Sequence, residues 1–163
     1  MVIINAPHPM LWRQAMRTNR AQRRKSWYVQ LFRLPLLPEL GLRARNFRAL
    51  AQGLVDSSRP GTFSAADLNE YRTAWAQPGA LTAMLNWYRA LLRKPLPAEL
   101  PRIAVDTLMI WGRDDRFGDV AVAEESVQLC TRGRAVYIDG ATHWVHHEEP
   151  ERVNALLIEF LRS

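Results

Sequence analysis

Two clusters of residues in this chain have the types and spacing to move protons. One is Trp111-Gly112-Arg113-Asp114-Asp115, directly after the aliphatic run TLMI; the other is Gly140-Ala141-Thr142-His143-Trp144, after AVYID. A histidine held by a carboxylate serves as a general base, because the carboxylate fixes the ring tautomer and stabilises the imidazolium. Taken singly, an aspartate after a strand is an ordinary turn or helix-capping residue, and a lone histidine is more often structural than catalytic. Acid then histidine at consecutive strand ends is what favours catalysis. His143 follows its strand run directly, whereas His146 and His147 stand just before the final helix, so His143 is the candidate base. His143 and His147 have the four-residue spacing of a zinc-protease helix, but Trp144 stands where that pattern needs Glu, and no metal is expected.

The elements that must position these residues are legible as short apolar runs. Val2–Asn5, Thr107–Trp111 and Ala135–Ile138 read as strands, each nearly all apolar, as strands buried on both faces of a parallel sheet are. Each runs into a polar or turn-rich loop, NAPHP, GRDDRFGD and DGATHW, and in open α/β sheets functional groups gather at the carboxyl ends of the strands. Val120–Cys130 reads as a connecting helix. Pro150 opens a last helix with Glu148 and Glu149 before it, and Val153, Leu156, Leu157, Phe160 and Leu161 are spaced to face the sheet.

About a hundred residues separate the first two strands, too many for an ordinary crossover. Apolar residues recur at helical spacing in Trp12–Leu34, Asn46–Val55, Ala65–Trp75 and Ala80–Leu92, punctuated by Pro35, Pro38, Pro60 and Pro78-Gly79, with Ser64 and Asp67 placed to cap the third. The expected division is a sheet segment of residues 1–9 and 101–163, a helical insertion of residues 10–94 and a stiff Pro-rich linker over 95–100. Three strands are few for such a sheet, and the first has an open edge available to another chain.

Composition sets bounds. With 163 residues and 48% hydrophobic content, one domain plus a small subdomain can bury a real core. No run nears the roughly 18 apolar residues of a membrane span, and MVIINAPHPM is interrupted too early by Pro7 and Pro9 for a secretory signal, so a cytoplasmic location is expected. One cysteine, Cys130, excludes an internal disulfide; it lacks flanking glycines and reads as a packing residue. The net charge is +6 and its surplus lies in residues 1–60, densest in the run RAQRRK, Arg20 to Lys25. No RNP, zinc-finger or helix-turn-helix pattern accompanies that run, so nucleic acid is not the expected partner.

The pieces VIINAPHP, TLMIWGRDDRF and GATHWVHHEEPERVNALLIEFL resemble the late strands of α/β-hydrolases. SWYVQLFRLPLLPE and FSAADLNEYRTAWAQPGALTAMLNWYR resemble the cap of the epoxide hydrolase branch, and the likeness runs through nearly the whole chain. WGxxD and HW specify the superfamily; YxxxFxxP and NWYR are more specific. The resemblance implies a partial α/β-hydrolase fold: three late parallel strands, flanking helices and a helical cap inserted between them. It also places the orienting acid at Asp115, the base at His143 and the cap tyrosines at Tyr28 and Tyr88. Arg33 stands where the family often has glutamine. Opening an epoxide creates an alkoxide, and a phenol of pKa about 10 can donate to it while staying neutral beforehand. Packing on cap helices is the alternative role for both tyrosines.

The resemblance also implies a nucleophilic aspartate, no cofactor and a small hydrophobic epoxide or ester-like substrate. No GxSxG or aspartate-elbow sequence occurs in the 163 residues, nor an HG-type oxyanion loop. The expectation is therefore the later part of a hydrolase, inactive alone, whose partner is a missing N-terminal half or a second copy. The alternatives are a non-catalytic binding module that retains the cap, and a fragment of an esterase- or dehalogenase-type enzyme.

Overall fold

The run TLMIWG forms the middle of a three-stranded parallel sheet. Strands β1 (Val2–Ile4), β2 (Thr107–Gly112) and β3 (Gly133–Ile138) lie in that order, with Val2 opposite Leu108 and Met109 opposite Ala135. All six residues of β2 are buried, as expected for a parallel strand covered on both faces. Its side chains alternate between the faces. Leu108 and Ile110 pack with Ile138, Val145, Val153, Leu156, Leu157 and Phe160, while Met109 and Trp111 pack with Val120, Ala123, Val127 and Tyr137. Among the described residues β1 is paired on one side only.

The computed structural model describes residues 1–93, 95 and 97–162. Contacts divide them into two units, Met1–Lys25 with Leu96–Ser163, and Ser26–Pro95. The first unit holds the sheet and helices α1 (Pro9–Thr18), α2 (Arg20–Lys25), α7 (Val120–Gln128), α8 (Val145–Glu148) and α9 (Pro150–Arg162). The second is helical: α3 (Tyr28–Phe32), α4 (Leu37–Ser57), α5 (Ala65–Trp75) and α6 (Ala80–Arg93). Of the linker expected over 95–100, Leu96 lies outside the described residues, as does Lys94 before it. Pro95 and Pro97–Leu100 carry neither helix nor strand.

Several elements differ from the sequence expectation for identifiable reasons. The apolar periodicity of Trp12–Leu34 is cut into α1, α2 and α3. Asn19 takes an extended backbone and its side-chain oxygen accepts from the N–H groups of Ala21 and Gln22 at 2.8 and 3.1 Å, the local competition for which asparagine is suited. Helix α4 begins upstream of Asn46 and is broken from Ala44 to Phe47, where Arg45, Asn46 and Phe47 adopt positive φ. The left-handed region disfavours L-residues, so this break carries real backbone strain. Leu161 was expected to face the sheet but is 76% exposed; it lies at the margin of the stripe that Val153, Leu156, Leu157 and Phe160 form. Ser64 and Asp67 do close a capping box on α5.

Candidate active site

Strands β2 and β3 end side by side, and the loops that follow them are bound together by backbone. Arg113 N–H donates to Ile138 O at 3.0 Å and Asp114 N–H to Ala141 O at 2.9 Å. Gly112 sits in the contact: a Cβ there would lie 2.1 Å from Thr142 O and 2.5 Å from Ala141 O, so only glycine lets the loops approach this closely. Gly140, with φ of +72°, turns the chain out of β3.

This approach brings Asp115 and His143 together. Nδ1 of His143 lies 2.9 Å from Oδ2 of Asp115, whose side chain is fully buried, while the imidazole is 31% exposed. The carboxylate has three further donors: Asn5 Nδ2 on Oδ2 at 2.6 Å, and the N–H groups of Phe117 and Gly118 on Oδ1 at 2.6 and 2.9 Å. Burial pushes the Asp115 carboxyl up, but the hydrogen bond and charge of His143, with the bonds from Asn5 and Gly118, outweigh it and hold the pKa below the ordinary value. An ionised Asp115 only accepts, so Nδ1 of the neutral imidazole carries its proton and Nε2 is left as the basic nitrogen.

The histidine loop is fixed separately. Glu148 accepts from Thr142 N–H at 2.7 Å and from its hydroxyl at 2.6 Å. The His143 ring meets Phe117 and Trp144 edge-on, at centroid distances of 5.0 and 5.1 Å. Neighbouring Asp114 is not the acid that reaches His143: its backbone serves the loop contact.

Asn5 was missed as an individual residue, although its loop was singled out. It follows β1 with φ of +45°, which asparagine tolerates better than most residues. Its amide accepts from Gly112 N–H at 2.9 Å and donates to Asp115 in the loop after β2, and it reaches the loop after β3 by donating to Thr142 O at 3.4 Å. Thus all three strands contribute to one polar cluster at their carboxyl ends.

Tyr28 and Tyr88 meet within the helical unit. Tyr28 opens α3 and Tyr88 lies on α6; their rings stand 6.1 Å apart and nearly perpendicular, with Phe32 5.3 Å from each. Burial raises the Tyr88 pKa, and a hydrogen bond with Tyr28 partly offsets the rise, so the phenol stays protonated at neutral pH. Arg89 clasps the same helices, donating to Phe32 O and Leu34 O at 2.9 and 2.7 Å and to both carboxylate oxygens of Glu39 at 2.7 and 3.1 Å.

Cys130 is buried against Ser126 O. Among the described residues no group of three or more His, Cys, Asp or Glu is arranged to hold a metal ion, and no helix is long and apolar enough to cross a membrane.

Comparison with known proteins bears on the fold and the family. The chain is 42% identical over 164 residues to AB hydrolase superfamily protein YfhM of Bacillus subtilis (strain 168), a match covering all of this chain and 57% of that protein. It is 34% identical over 169 residues to Epoxide hydrolase 2 of Caenorhabditis elegans, covering all of this chain and 47% of that one. The chain thus spans about half the length of these curated relatives. Its fold is similar to that of an epoxide hydrolase from Bacillus megaterium solved with an inhibitor, with a TM-score of 0.82 and 24% identity over 99% of this chain and 60% of that one. A family profile described as "Alpha/beta hydrolase family" matches residues 2–156, nearly the full length, and the chain belongs to that family.

Proposed function

We propose that this chain supplies the water-activating and oxygen-protonating groups of an epoxide hydrolase, with the nucleophile coming from polypeptide outside the 163 residues. The observation that carries the reading is the buried Asp115 carboxylate bonded to Nδ1 of a partly exposed His143. That arrangement leaves Nε2 free to take a proton from water.

In the proposed sequence a carboxylate attacks a ring carbon of the epoxide, and the carbon–oxygen bond breaks with its electron pair staying on oxygen. Tyr28 or Tyr88, on α3 and α6, donates its phenolic proton to that oxygen. The product is an ester between enzyme and substrate. Water then attacks the ester carbonyl while Nε2 of His143 accepts its proton, and the imidazolium is stabilised by Asp115. Collapse of the tetrahedral species breaks the ester carbon–oxygen bond as the imidazolium returns its proton to the departing oxygen, releasing the diol. The carboxylic acid left behind gives its proton to the tyrosinate, restoring carboxylate and phenol. The likeness to epoxide hydrolases and the juxtaposed tyrosines favour an epoxide over a simple ester. No glycine-flanked nucleophile occurs in the sequence, so we infer that the chain does not turn over substrate alone.

A chimera tests this. The part of the Bacillus subtilis relative that this chain does not cover would be joined to residues 1–163 and assayed with a small aryl epoxide. Diol formation is expected. His143→Gln should halt turnover and leave a covalent adduct of the substrate's mass on the protein, since only the second step needs the base. Diol formation undiminished by His143→Gln would refute the assignment.

A further inference from the structure

The basic run Arg20 to Lys25 has a use inside the sheet unit. Gln22 and Lys25 are three residues apart on α2 and therefore share a face, and both reach the loop that carries Asp115. Gln22 is fully buried; its Nε2 donates to Phe117 O and its Oε1 accepts from Asp119 N–H, each at 2.8 Å. Lys25 Nζ donates to Asp115 O at 2.6 Å and to Gly118 O at 2.8 Å. Arg23 and Arg24, between them in sequence, are exposed.

Two of these four bonds fall on Phe117 and Gly118, whose N–H groups hold the Asp115 carboxylate, and the other two fall on the backbone of Asp115 and Asp119 on either side. The peptide unit joining Phe117 to Gly118 gives its carbonyl to Gln22 and its N–H to Oδ1 of Asp115, and the next unit gives the Gly118 carbonyl to Lys25 and the Asp119 N–H to Gln22. A carbonyl fixed in this way fixes the plane of the peptide it belongs to. We propose that Gln22 and Lys25 are positioning residues for the acid–histidine pair: they set the turn after Asp115 so that its carboxylate meets Nδ1 of His143. Charge-assisted bonds to carbonyls from a half-buried ammonium are among the stronger hydrogen bonds available for this. The inference rests on the reading of Asp115 and His143 as a working pair, but not on the nature of the substrate.

Hydrogen exchange and imidazole NMR on the 163-residue chain separate the two. In Lys25→Met and Gln22→Met, the Phe117 and Gly118 amides should exchange at least tenfold faster, and the Nδ1–H signal of His143 should weaken. The amides of Leu108 and Ile110 should remain within twofold of the parent. Lys25→Arg, which keeps a donor able to reach two carbonyls, should restore both local signals. Unchanged exchange at Phe117 and Gly118 in both Met variants would overturn the proposal. So would acceleration spread equally over β2, which would make α2 a general support, or failure of Lys25→Arg to differ from Lys25→Met. Catalysis by the chimera is not read in this experiment, so failure of the epoxide assignment would leave its result intact.

Discussion

In the sheet unit, Asp115 is fixed by four hydrogen bonds from three separate stretches of chain; in the helical unit, Tyr28 and Tyr88 stand in a cluster of aromatic edges with Phe32 and Trp87. The first arrangement specifies direction, because each hydrogen bond requires a donor aligned with a lone pair. The second specifies proximity and burial, since edge contacts tolerate a range of angles. A base must present one particular nitrogen, whereas a phenol rotates its hydroxyl to suit the oxygen it serves. Under the proposed function, the contrast in construction matches a contrast in what each group would have to do.

The largest test of the comparison falls on the sheet unit. Gly112→Ala forces a Cβ against two backbone oxygens that cannot move independently, and should cost about 3 kcal/mol of unfolding free energy, at the upper end of overpacking effects. Chemical denaturation would measure it, and a cost below about 1 kcal/mol would mean that the loops separate easily.

Acid stability gives a second contrast. The Asp115 pKa is held below the ordinary value, so its contribution is fully present above the unfolded carboxylate pKa of about 4 and is lost as pH falls through the lower folded value. Glu39 in the helical unit is also lowered, chiefly by its hydrogen bond to Arg89, but is more exposed. Asp115→Asn should therefore flatten the loss of stability below about pH 4 more than Glu39→Gln does, as read from melting temperature against pH. Equal flattening would remove the distinction.

The smallest effect belongs to the helical unit's local chemistry. Ser64→Ala opens the capping box of α5 and should cost about 1 kcal/mol, measured by denaturation.

The parts legible in the sequence were those set by local pattern. The run TLMIWG announces a buried strand, the polar loops after it and after β3 announce the strand ends, and the stripe from Val153 to Phe160 announces α9. His143 and Asp115 could be paired because strand order brings successive strand ends together. Asn5 bonds to Asp115 from 110 residues away and Lys25 to the same residue's carbonyl from 90, and nothing in local spacing encodes either contact. RAQRRK stood out only as the densest part of the charge surplus, because periodicity cannot separate Gln22 and Lys25 from the exposed arginines beside them. The tyrosines were found only through resemblance, since an aromatic residue on an amphipathic helix reads as packing in any sequence.

The most direct test is the protonation of one ring. Two-bond nitrogen–proton correlation spectra of the 163-residue chain in mildly alkaline solution assign the tautomer of the neutral His143 ring. The account predicts a proton on Nδ1 with Nε2 unprotonated, and a shift toward the Nε2–H form in Asp115→Asn. A wild-type ring already carrying its proton on Nε2, or one unmoved by that substitution, would contradict it.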